Sequence, residues 1–185
     1  MHHIIAFVGP SGAGKTAIIK RLVKELPNRF GPLPGFITRP LREGEEQLNL
    51  TVVSPAIGRC RYQAFTHGND SRYVNVSEHA GIYYGNERAV VDQFLTDRVA
   101  LKDLVPDGVL NFRRAGYRVD VIVVEPTGHT PRPGREVADR EIERHFAELS
   151  PIFHVHTDHH DKFGLDKAII AVMSGLNEKS PTSIP

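Results

Sequence analysis

The hydrophobic positions change period along the chain, and the changes divide it into elements. His3-Ile4-Ile5-Ala6-Phe7-Val8 is an apolar run of strand length. Ala17 to Leu26 repeats apolar residues at helical spacing until Pro27 stops the pattern. A turn-rich stretch, Gly31 to Gly35, leads to an extended start at Phe36-Ile37. Positions 48–84 read as β-rich, with no helix expected between Ser54 and Tyr84. Strand residues fill 50–53 and 72–76, and Gly68-Asn69-Asp70 offers a hairpin turn between them. Gly81 to Asn86 is extended, so the adjacent Tyr83 and Tyr84 point to opposite faces, one toward a cleft and one into packing. Further on, the pattern predicts a helix over 87–95, a short strand over 99–101, a helix over 108–115 and a buried strand over 117–124. Three prolines make 126–134 a loop. A charged helix over 135–149, a strand over 152–155 and an amphipathic helix over 165–176 complete the series. Strands alternating with helices imply an α/β fold, a parallel sheet with helices on both faces. The stretch 36–85 stands apart as a β-rich lobe. The expected organisation is one domain over 1–177, with a frayed tail over 178–185.

Chemistry enters at the first turn. Between the first strand and the first helix lies Gly9-Pro10-Ser11-Gly12-Ala13-Gly14-Lys15-Thr16, the G-x-x-x-x-G-K-[ST] pattern in the strand–turn–helix setting it requires. At average residue usage the bare pattern arises by chance at roughly one position in 30,000. Its spelling has a physical reason. Gly12 and Gly14 let the backbone curl so that successive N–H groups face phosphate oxygens, and the helix start adds its positive dipole end. Gly9, Ser11, Gly12, Ala13 and Gly14 are thus expected to wrap a nucleoside triphosphate. Lys15 should reach its outer phosphates and Thr16 should hold Mg²⁺. A P-loop NTPase fold binding ATP and Mg²⁺ is the expectation.

Composition narrows this little. Hydrophobic residues make up 40% and charged residues 24%, as in soluble globular chains, and the net charge of +1 argues against a broad nucleic-acid or membrane surface. The single cysteine, Cys60, excludes an internal disulfide and fits a reducing compartment. No segment approaches membrane-spanning length and none reads as a signal peptide, so the expected address is cytoplasmic, as a monomer or homodimer. His154, His156, His159 and His160 gather around Asp158, but without a strong zinc spacing; a polar loop is expected there.

Past the first turn, Thr38-Arg39-Pro40-Leu41-Arg42-Glu43-Gly44-Glu45 sets two arginines three apart, able to close on one anion. This segment is similar to the T-R-x-x-R-x-G-E stretch of the guanylate kinase family, and Gly81-Ile82-Tyr83-Tyr84-Gly85 resembles that family's G-x-Y-Y-G. Asp103 matches the first of an aspartate pair, Arg135 and Arg144 keep the spacing of two lid arginines in the region 126–144, and Val155-His156-Thr157-Asp158 falls where the family borders its adenine site. The resemblance runs from residue 4 to about 172. It implies phosphoryl transfer from MgATP to a nucleoside monophosphate, a small phosphorylated acceptor. Arg39, Arg42 and Tyr84 would hold the acceptor phosphate. Arg135 and Arg144 would close over the transferring group, and Asp103 would stand near metal and acceptor.

The departures concern the base. Leu50 stands where the family has a tyrosine, Asn75 where it has a guanine-reading glutamate, and Asn86 where it has a hydroxyl. Glu45 remains. A carboxylate accepts two hydrogen bonds from the guanine edge, whereas an amide accepts at one end only. Several acceptors therefore stay open: GMP or dGMP, another nucleotide, or a sugar phosphate such as ribose 1,5-bisphosphate. A related branch of the fold phosphorylates that sugar and lacks a guanine reader. A non-catalytic binding module and an acceptor-independent NTPase are the readings from other classes.

Overall fold

A computed structural model describes residues 3–68, 70–127, 136–158 and 164–178. Its first strand, β1 (His3–Val8), is buried at every position after His3. Alternate side chains enter two different cores, as the two-residue period of a strand requires. Ile4, Ala6 and Val8 face one. Ile5 and Phe7 face the other, with Ile18, Ile19 and Leu22 of α1 (Lys15–Glu25). After β2 (Phe30–Pro32) come β3 (Gly35–Ile37), β4 (Leu50–Val52), α2 (Pro55–Thr66), β5 (Tyr73–His79), β6 (Ile82–Glu87) and α3 (Arg88–Phe94). The chain then returns through β7 (Val99–Asp103), α4 (Pro106–Arg114), β8 (Arg118–Thr127), α5 (Glu136–Arg144), β9 (Phe153–Asp158) and α6 (Gly164–Glu178).

Five strands form a parallel sheet in the order β2-β7-β1-β8-β9. One core beside it takes Val91 and Leu95 at α3 with Val109 and Phe112 of α4. The opposite one takes α1 together with Ala168, Ile169 and Val172 of α6. The P-loop NTPase architecture expected from the sequence is therefore present. Chain order reverses around β1, and ligands of open α/β sheets bind outside the carboxyl ends of the strands at such a point.

The second sheet has the order β4-β3-β6-β5. It is mostly antiparallel, with β3 and β4 parallel. Strands from the stretch 36–85 build this second sheet, but two expectations within the stretch are overturned. Residues 55–66 are a helix, α2, opened by the Ser54 side chain, which accepts the Ile57 N–H at 3.3 Å, and by Pro55 in the first turn. Gly68 is no hairpin turn. It follows α2 at a positive φ of 70°, its N–H donating to the Phe65 carbonyl. The hairpin joins β5 to β6 instead, through Ala80 and Gly81 at φ 52° and 75°.

Elsewhere the differences lie at boundaries. The expected helix over 135–149 stops at Arg144 and is followed by a 3₁₀ turn over 147–149. His154 and His156 sit on β9 and not in a loop, because β8 extends to Thr127 and pairs with them. Glu178 ends α6 and does not begin a tail. Residues 128–135, His159, His160 and the tail beyond 178 lie outside the described residues.

Candidate active site

The P-loop follows β1 with two glycines in the left-handed region, Gly12 at φ 91° and Gly14 at φ 90°. A β-carbon is disfavoured there, so the curled backbone that lets the amides converge depends on glycine. Thr157 on β9 donates its hydroxyl to the Ala13 carbonyl at 2.9 Å, tying the loop to the far edge of the sheet. Lys15 is buried, and its ammonium folds onto the loop, donating to the Gly9 carbonyl at 2.6 Å and the Pro10 carbonyl at 2.8 Å. Asp103, at the end of β7, lies 3.8 Å from the same ammonium.

The P-loop glycines, Lys15 and Asp103 line one cleft of about 380 Å³ between the two sheets. Gly9, Ser11, Gly12, Ala13, Gly14, Lys15 and Thr16 form one wall, with Asp103 beside them. Arg39, Arg42, Glu45, Asn75 and Tyr84 come from the second sheet and its loops. The structure thus gathers every cleft residue expected from the sequence except the two lid arginines. Arg135 lies outside the described residues. Arg144 is on α5, exposed, and is not among the cleft-lining residues; α5 reaches the cleft through Ile142.

The details revise several roles. Arg39 is held by a forked ion pair, its two terminal nitrogens donating to the Glu45 carboxylate at 2.6 and 2.8 Å. Glu45 also accepts the Arg42 backbone N–H at 2.8 Å and is 6% exposed, so it orients the arginine segment and is not a free base reader. Burial pushes the Glu45 carboxyl up, but the bonds from Arg39 and Arg42 outweigh it and hold the pKa below the usual range. On Arg39 the Glu45 hydrogen bond is the largest influence, and it raises the guanidinium further. Tyr84 lines the cleft while Tyr83 packs on Tyr62 of α2, ring centroids 5.5 Å apart.

Asn75 is completely buried and engaged at both ends. Its Oδ1 accepts from Asn111 of α4 at 3.1 Å, and its Nδ2 donates to Asn86 Oδ1 at 3.4 Å. Asn86 donates in turn to the Pro34 carbonyl at 2.6 Å.

Sequence reasoning missed three contributors. Ser77 shares Asn75's face of β5 and also lines the cleft. Lys102 lines it from β7, hidden in the sequence by its strand neighbours. Asp139 of α5, 3% exposed, accepts the Ser11 backbone N–H at 3.0 Å. Its other oxygen, Oδ2, is buried and unbonded among the described residues. No local signal marks Asp139, because its partner is 128 positions away. The arrangement offers amides and a lysine to one polyanion and a braced arginine pair to another. No cluster of three or more potential metal ligands occurs among the described residues, and none of the helices described is long and apolar enough to cross a membrane.

Comparison with known proteins agrees with this geometry. The guanylate kinase of Sus scrofa is 27% identical over 124 residues, 66% of this chain and 60% of that protein. The Homo sapiens guanylate kinase is 28% identical over the same length and the same shares. The chain thus spans 60% of the length of these curated relatives. The crystal structure of guanylate kinase from Anaplasma phagocytophilum shares the fold with a TM-score of 0.59, at 15% identity, over 98% of this chain and 87% of that one. A family model described as Guanylate kinase matches residues 1–149. On that match, which covers the P-loop, the arginine segment and the second sheet, the chain belongs to the guanylate kinase family.

Proposed function

We propose that the chain is an ATP-dependent phosphotransferase moving the γ-phosphoryl group of MgATP to a nucleoside monophosphate, GMP, dGMP or a related nucleotide. One observation carries this reading: the P-loop and the Arg39–Glu45 segment face each other across a single cleft. Phosphoryl transfer needs two polyanions held in line with their charge neutralised, and proteins achieve it mainly by position and electrostatics.

The residues fit the cofactor's demands. The loop amides and Lys15 would hold the ATP phosphates, and Thr16 and Asp103 offer oxygens near where Mg²⁺ would sit. Mg²⁺ held there would supply charge neutralisation for the phosphates. Lys15 must leave the Gly9 and Pro10 carbonyls to meet phosphate, and those carbonyls keep it nearby meanwhile. Arg39, fixed by Glu45, and Arg42 would grip the acceptor phosphate, with the Tyr84 hydroxyl beside them. Arg135 and Arg144 would close over the transferring group from the lid.

The engaged state of Asn75 favours a second acceptor, a sugar phosphate such as ribose 1,5-bisphosphate, because no glutamate stands there to read guanine. ADP production from MgATP tests both, across GMP, dGMP, the other nucleoside monophosphates and ribose 1,5-bisphosphate. Turnover with at least one acceptor is expected, falling about a hundredfold or more in Lys15→Ala. ATP binding without turnover on any acceptor would favour a binding module. Hydrolysis without an acceptor would make the chain an NTPase.

A further inference from the structure

Lys102 is a cationic side chain of the cleft that neither the P-loop nor the arginine segment employs; Lys20 of α1 also lines the cleft, with its ammonium against Gly44 of the arginine segment. The Lys102 ammonium donates one long hydrogen bond, 3.3 Å to the Leu33 carbonyl, and has no other hydrogen-bond partner among the described residues. An ammonium has three donors. Two remain for whatever enters the cleft that Lys102 lines.

Its position along the cleft follows from strand register. Tyr84 and Asn86 share one face of β6, two residues or about 7 Å apart. They pair with Ser77 and with Asn75. A β-carbon placed on Gly35 would lie 3.0 Å from Lys102 Nζ and 2.7 Å from Asn86 Nδ2, so the ammonium sits at the Asn86 end. The arginine segment sits at the other end, with Tyr84. An acceptor whose phosphate lies against Arg39 and Tyr84 therefore has its far end beside Lys102.

Hydrogen-bond polarity at that end is one-sided. The carboxylates lining the cleft are Glu45, committed to Arg39, and Asp103, close to Lys15. Asn75 is buried and engaged at both ends. Glu45 is thus committed to Arg39 and Asp103 stands 3.8 Å from the P-loop ammonium, while Lys102 has donors to spare.

We infer that Lys102 reads the far end of the acceptor, and that this end presents oxygen lone pairs, from a base keto group or a second anionic group, in place of an N–H edge. The inference rests on the acceptor orientation proposed above and names the chemistry it selects. Its consequence is a specificity pattern. IMP and GMP, which share the 6-keto oxygen and differ by the 2-amino group, are bound alike. AMP, with an amino group in place of that oxygen, is bound more weakly.

Calorimetric binding to the wild-type chain and Lys102→Met, independent of turnover, tests it with five probes: GMP, IMP, AMP, UMP and ribose 1,5-bisphosphate. The expected result is IMP within about threefold of GMP. Lys102→Met should weaken the oxygen-bearing probes about tenfold or more and leave AMP and ATP nearly unchanged. The probe that binds most tightly distinguishes a keto oxygen from a second phosphate. A GMP preference over IMP beyond about tenfold shows that a donor edge is read and overturns the inference. So does unchanged binding in Lys102→Met, or the absence of binding by every oxygen-bearing probe. Binding in the expected pattern without ADP formation sustains the Lys102 assignment and instead overturns phosphoryl transfer. Lys102→Arg, which keeps the charge, should retain part of the affinity and separates recognition from damage to the fold.

Discussion

At the scale of single residues, the Arg39–Glu45 pair decides how the acceptor segment behaves. A forked arginine–carboxylate pair fixes the guanidinium plane, so losing the carboxylate frees the arginine without removing its charge. Glu45→Gln is therefore expected to raise the acceptor's KM several-fold with little effect on that of ATP, and Arg39→Ala to raise it further. Initial-rate kinetics with each substrate varied in turn provides the check, and equal effects on both substrates would remove Arg39 from the acceptor site. Lys102 gives a pH prediction of a different kind. Burial pushes its ammonium from about 10.5 down to about 8, partly opposed by Asp103. The folded state then binds fewer protons than the unfolded chain between those values, so this group makes stability rise with pH across that window. Denaturant melts from pH 7.5 to 10.5 should show that component in the wild type and lose it in Lys102→Met. Legibility at this scale followed sequence distance. Lys15 and Thr16 were readable because the loop's spelling is local. The engagement of Asn75 was not, since its partners lie 11 and 36 positions away.

Among the elements, α2 shows why period alone misleads. Gly58 is its one buried residue, so there is no continuous apolar stripe to read. The helix is held by its cap and by individual contacts, including Arg61 over the Phe36 ring at 4.6 Å. The Ser54-Pro55 start was the available signal. Ser54→Ala is expected to cost about 1 kcal/mol in urea unfolding. By contrast β1, the loop and α1 were legible because apolar pattern, glycine positions and helix start all point the same way.

For the whole molecule, stability is unevenly distributed between the two sheets. The parallel sheet lies between two large apolar cores, whereas the cluster under the second sheet has three buried members, Phe36, Tyr73 and Val76. Each fully buried large apolar side chain contributes roughly 1.5–3 kcal/mol, so the second sheet opens at lower cost. Amide exchange should be fastest in β4 and α2 and slowest in β1 and β8, and comparable protection throughout would show that the sheets unfold as one. The general architecture was legible in the alternation of strand and helix. The division of the core between the sheets was not, because it depends on which faces meet.

The bond from the Ser11 amide to Asp139 has one more consequence. That amide is a seat with two claimants, a carboxylate carried by α5 and the phosphate oxygen of an arriving nucleotide. By thermodynamic reciprocity, whatever favours one occupant disfavours the other by an equal free energy. Trading the carboxylate for an amide in Asp139→Asn should tighten nucleotide binding, and saturating nucleotide should expose α5 to protease in the wild type. Equal cleavage with and without nucleotide would mean that the two occupants never compete.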